Sequence, residues 1–185
     1  MEGKNRADRI DRIFRLISEE KEKDVPCIFI SYQRKDEDFA SAVADYIKEH
    51  QIDVFFDLED INPKKSSSPA KVTNSIKEGL NKSNFMLVIV SPTTYESPWV
   101  PFEIGYAYDH MGTKMKILKH RNLPESSLPD YLKTKDLLHG FQSLISFLAI
   151  VRSQYKLYES MIQKGHTVKT FSSFSNPLQK YLVNA

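Results

Sequence analysis

The stretch Phe85–Gly112 reads FMLVIVSPTTYESPWVPFEIGYAYDHMG. Its first six residues are apolar without a break. So short a run, rich in valine and isoleucine, fits a strand buried on both faces, as in a parallel sheet. Ser91-Pro92-Thr93-Thr94 then marks a loop. From about Ser97 or Pro98 the spacing turns helical, with Pro98 suited to a first turn. Strand, loop and helix in this order form half of a βαβ unit.

The same grammar extends outward in both directions. PCIFIS, Pro26–Ser31, is a second buried strand. It leads into DEDFASAVADYIKEH, where Phe39, Val43, Tyr46 and Ile47 share one helical face and Asp36 or a neighbour caps the start. DVFFD, Asp53–Asp57, is another strand. AKVTNSIKEGLNKS is a helix with Val72, Ile76 and Leu80 inward. KMKILK and then LLHGF, Leu137–Phe141, supply two more strands. A long helix runs from Gln142 to about Gln163 on a stripe of Leu144, Leu148, Val151, Tyr155, Tyr158 and Ile162. Strands alternating with helices predict an α/β fold: a flavodoxin-like parallel sheet of about five strands with helices on both faces. Such sheets bind ligands at the carboxyl ends of their strands. That rule selects the loops SYQRKDED, DLEDINPKK and SPTTYESPW.

Flanking segments differ from this centre. Residues 1–24 place Ile10, Ile13, Phe14 and Ile17 at helical spacing among many charges of both signs, and read as an N-terminal amphipathic helix. The main domain spans 25–163. Residues 164–185 are polar with scattered aromatics and form a C-terminal extension, either docked on the domain or engaging a partner.

Composition narrows the function. With 41% hydrophobic and 27% charged residues, the chain has material for an ordinary core. A formal net charge of +2 gives no field for nucleic acid. The single cysteine, Cys27, forbids an internal disulfide and fits a reducing cytoplasm. The apolar run Leu144–Val151 is far short of the ~20 residues of a membrane helix. Scattered histidines give no metal spacing. Phosphate-loop, dinucleotide and nucleophile-elbow motifs are absent.

What remains is the helix after Ser91. Trp99 and Glu103 are four residues apart and share a face, which Tyr106 and Ala107 continue. That face is odd for solvent. It is odd for core too, since burying an unpaired carboxylate is costly. A cleft wall at the top of the sheet meets both objections. Most helical glutamates are nonetheless simply solvated.

Three features together resemble the Toll/interleukin-receptor (TIR) domain of the bacterial type, over about Pro26–Val151. They are the first strand ending in Ser31-Tyr32, Phe56-Asp57 before an acidic loop with Pro63, and Ser91-Pro92 followed by Ser97, Trp99 and Glu103 in an S-x-W-x-x-x-E pattern. Two positions depart from that family. Lys64 and Lys65 follow Pro63 where a glycine is usual, and Val100 stands where cysteine is often found.

The resemblance implies an enzyme that cleaves the nicotinamide–ribose bond of NAD, with NAD as substrate and no separate cofactor. It implies Glu103 as the catalytic carboxylate. Ser31, Tyr32, Arg34, Asp57 and Trp99 are the substrate-binding candidates, each with a plainer rival as core edge, solvated charge or turn cap. It further implies self-association through TIR contacts, a downstream effector protein, and a role in anti-phage defence through an ADP-ribose-type signal or NAD depletion. Two other classes stay open: a non-enzymatic TIR adaptor, and a nucleoside deoxyribosyltransferase, which FEIGYAYDHMGTK resembles more faintly.

Overall fold

Five parallel strands in the order β2-β1-β3-β4-β5 form the sheet: β1 (Cys27–Ser31), β2 (Asp53–Phe55), β3 (Phe85–Val90), β4 (Met115–Lys119) and β5 (Asp136–Leu138). The computed structural model describes residues 2–6, 25–56, 68–155 and 176–185. Of the N-terminal helix expected over 1–24, residues 7–24 lie outside the described residues, as do Asp57 with the loop to 67 and the segment 156–175. Residues 2–6 are not helical, because Asn5 bridges Val54 at the edge of the sheet instead.

Period-two alternation sorts each strand between two cores. Ile28, Ile30, Phe85, Leu87 and Ile89 face one side, where α1 (Glu37–Glu49) and α5 (Phe141–Gln154) pack. Phe29, Met86, Val88 and Val90 face the other, where α2 (Pro69–Asn81), α3 (Val100–Met111) and α4 (Asp130–Lys133) pack. Every residue of β1, β2 and β3 is buried; β3 reads as an unbroken apolar run and β1 as one closed by Ser31, while β2 opens on Asp53. Cys27 is a buried core residue of β1.

Several element boundaries differ from the sequence expectation. The long helix α5 ends at Gln154, with Tyr155 as its C-cap, rather than running to about Gln163, and β2 ends at Phe55 rather than at Asp57. The third helix starts at Val100 rather than at Ser97 or Pro98. Ser97 Oγ accepts the N–H groups of Trp99 and Val100, at 3.3 and 3.2 Å, and so holds a turn before the helix; Pro101 fills the first turn instead. The fifth strand ends at Leu138, and Phe141 opens α5. Gly140 lies against the backbone of Val183, leaving no room for a side chain: an added Cβ would sit 2.3 Å from the Val183 carbonyl oxygen.

The C-terminal residues are docked. Leu178 and Leu182 enter the α1/α5 core, and Phe141 N–H donates to the Val183 carbonyl. At the opposite edge, residues 2–6 run beside β2. Asn5 bridges Val54 in parallel, and Arg6 pairs with the buried Asp53 at 2.8 Å.

The order 2-1-3-4-5 has its switch point between β1 and β3. Loops leaving these two strands turn toward opposite faces of the sheet and open a crevice at their carboxyl ends. Ser31 closes β1 and Ser91 follows β3.

Candidate active site

Glu103 lies in the first turn of α3, and its N–H donates to the Trp99 carbonyl at 2.9 Å. This side of the helix packs down on the sheet, carrying Val100, Ile104 and Ala107 into the core. The glutamate goes with them and is 2% exposed. Its Oε2 accepts a hydrogen bond from Ser31 Oγ at 2.5 Å. Oε1 has no hydrogen-bond partner among the described residues.

Two influences on the carboxyl oppose each other. Burial penalises the anion, and the Ser31 hydroxyl favours it. Burial wins, and the pKa is pushed up to about 7. Near neutral pH the group therefore divides between acid and carboxylate. Perturbation of this kind at the switch point of a parallel sheet marks a functional-site candidate.

The other candidates are distributed around this pair. Tyr32 follows Ser31, but its ring packs in the α1/α5 core, 5.0 Å from the Phe56 ring. Trp99 is half-buried on the other core and meets Phe102 edge to face at 6.2 Å. The fold thus brings Ser31 to Glu103 and sends the Tyr32 and Trp99 rings to different cores. Tyr106 continues the aromatic row beyond Phe102 at 6.4 Å, and its hydroxyl reaches Asn81 on α2 at 3.4 Å, so it turns away from Glu103. Arg34 is exposed at the start of a 3-10 turn, Arg34–Asp36, where its N–H donates to Gln33 Oε1. Asp57 lies outside the described residues.

One constellation was missed from the sequence. Asp36 Oδ2 accepts from Ser91 Oγ at 2.5 Å and from Thr93 Oγ1 at 3.0 Å. Its only sequence signal is an acidic residue in one candidate loop and hydroxyls in another. No cluster of His, Cys, Asp or Glu among the described residues is arranged to hold a metal ion. Among the described residues, no helix is long and apolar enough to cross a membrane.

Comparison with known proteins supplies the family. A family model described as "TIR domain" matches residues 28–139. Among solved structures, a metazoan TIR-STING receptor from C. gigas, in complex with 2',3'-cGAMP, shares the fold at 20% identity and a TM-score of 0.52. That likeness covers 67% of this chain and 38% of the receptor, so this chain spans well under half of its length. No curated protein gives a significant match.

Proposed function

Because the chain belongs to the bacterial-type TIR domain family, we propose that it is an enzyme that cleaves the nicotinamide–ribose bond of NAD, with Glu103 as its catalytic carboxylate. The observation that carries this reading is the buried Glu103 held by Ser31 at the switch point of the sheet.

The chemistry suits a lone carboxylate. Ordinary glycosidases pair two carboxyl groups because the leaving oxygen must be protonated. Nicotinamide in NAD is already cationic and leaves as a neutral ring, so no general acid is needed. As the bond breaks, positive charge moves onto the ribose. A carboxylate fixed in a poorly hydrated site stabilises that charge far better than water would. The substrate's own positive charge also favours the ionised form of Glu103, against its burial. Water then adds to the ribosyl carbon, giving ADP-ribose and a proton. Capture by a group within the same molecule gives a cyclic product instead.

The reading extends to a cytoplasmic enzyme that self-associates and whose product signals to an effector, or whose NAD consumption itself limits phage. The test is incubation of purified protein with NAD, followed by mass spectrometry of nicotinamide and the ADP-ribosyl products. Folded protein that releases no nicotinamide between pH 6 and 9, at high as well as low protein concentration, would overturn the enzyme reading in favour of an adaptor. Deoxynucleosides serve as the competing substrate class.

A further inference from the structure

We infer that Asp36 is a positioning residue for the candidate site, fixing the segment Ser91–Glu103 against the loop that follows β1. Side-chain links join these two stretches in antiparallel order. Ser31 bonds Glu103, Lys35 pairs with Glu96, and Asp36 takes the hydroxyls of Ser91 and Thr93. The segment bearing Trp99 and Glu103 is thereby held at both ends by the same short loop.

The link at Asp36 is the built one. Lys35–Glu96 is an exposed ion pair, the kind that contributes little. Asp36 instead holds two charge-assisted O–H···O bonds, which are stronger than neutral ones. Ser91 and Thr94 are buried, and the turn is closed on itself by Thr93 N–H donating to Ser91 Oγ at 3.0 Å and Ser91 N–H donating to Thr94 Oγ1 at 2.8 Å. Asp36 also occupies the N-cap position of α1 yet makes no side-chain capping bond there. An aspartate so placed ordinarily accepts a helix N–H. Its carboxylate reaches across the crevice instead, a local rule broken in favour of a tertiary contact beside the site. His120, at the end of β4, feels the same charge: Asp36 lifts its pKa, while burial, the larger influence, lowers it.

Losing this link should let the start of α3 lift from β1 and admit water to Glu103. Burial is the larger of the two influences on that carboxyl. Its titration midpoint should therefore fall toward the ordinary carboxylate range. This inference rests on the NAD-cleavage reading for its kinetic arm alone. The carboxyl carbon of Glu103 gives a second readout by NMR titration of glutamate-labelled protein, assigned with Glu103→Gln.

In Asp36→Ala the midpoint should move down, and kcat for nicotinamide release should fall by about 10- to 100-fold with a smaller change in KM. Asp36→Asn keeps an acceptor oxygen and should restore most of both. The pair Ser91→Ala/Thr93→Val should reproduce the loss, and adding Asp36→Ala to that pair should change nothing further. If Asp36→Ala does not fold, the Ser91/Thr93 pair takes its place. An unchanged Glu103 midpoint in a folded variant overturns the role of Asp36. Wild-type protein that releases no nicotinamide overturns the proposed function instead, and the NMR arm still judges Asp36.

Discussion

Ser31 and Glu103 stand 72 positions apart in the chain, yet the Ser31 hydroxyl donates to the Glu103 carboxylate across 2.5 Å. One closes the strand at the centre of the switch point, and the other opens the helix beside it. Neither group has another apparent use: Ser31 is 1% exposed and Glu103 2% exposed, in surroundings that are otherwise largely apolar. Keeping a carboxyl there carries a cost in burial.

That cost should be measurable. Glu103 keeps its proton to higher pH in the folded chain, at about 7, than at the ordinary 4.5 of the unfolded chain. Its contribution to stability is thus whole below 4.5 and is withdrawn as pH rises from there through about 7. Glu103→Gln mimics the protonated acid. Its melting temperature should match wild type near pH 4 and exceed it by pH 8, by a margin on the order of 3 kcal/mol in free energy. Calorimetry across this range is the check, and a gap independent of pH would show that Glu103 is not titrating in a buried site. Nicotinamide release by the same variant should be abolished.

Activity should follow the ionised form. The acid limb of kcat/KM for NAD reports the free enzyme and should have its midpoint near 7. The limb of kcat reports the complex, where the cationic ring favours the carboxylate, and should lie at lower pH. A kcat/KM flat from pH 5 to 9 would remove Glu103 from the role of carboxylate.

The sheet was legible because β1 and β3 are buried on both faces and so carry no polar interruption. The site was legible only in part. Glu103 stood out through its spacing from Trp99, but sequence spacing says nothing of how far a ring leans. Tyr32 turned into the α1/α5 core, and Tyr106 turned toward α2. The start of α3 was placed too early because a serine side chain, rather than the helix itself, satisfies the first N–H groups. The sequence offers Asp36 or a neighbour as a cap, the usual local fate of an aspartate there. Only the crossing of two loops 55 positions apart gives it other partners. Leu178 and Leu182 are buried and place the last residues of the C-terminal segment on the domain.

Trp99 should act as a flat wall. Its ring is held edge-on by Phe102 and remains partly exposed beside the first turn of α3. Trp99→Phe should retain most of kcat/KM, whereas Trp99→Ala should lose about tenfold, in line with one aromatic contact. Equal and complete loss in both folded variants would assign the role to the indole N–H.

Assembly should limit activity. The proposed self-association implies a site that works only in the assembled protein, and such a site is scarce in dilute protein by mass action. Tyr95 and Tyr131 are exposed large side chains, 54% and 45% accessible, available to such contacts. Specific activity should therefore rise with protein concentration in step with size measured by light scattering. A monomer of constant specific activity across the dilution series would rule this out.

Ser31→Ala should displace the titration opposite to Asp36→Ala. The Ser31 hydroxyl is the influence that lowers the Glu103 pKa, while burial raises it. Deleting the hydroxyl in a site that stays closed leaves burial unopposed, so the acid limb of kcat/KM should move to higher pH than in wild type. Stability should carry the same sign. The buried anion left without its donor costs about 1–3 kcal/mol, while the protonated acid at pH 5 loses less. Ser31→Ala should thus be more destabilising at pH 8 than at pH 5. Ser31→Thr restores the hydroxyl and should return the limb toward wild type, even if its methyl group costs packing at a position only 1% exposed. A limb unmoved in folded Ser31→Ala would show that the 2.5 Å contact does not govern the ionisation of Glu103.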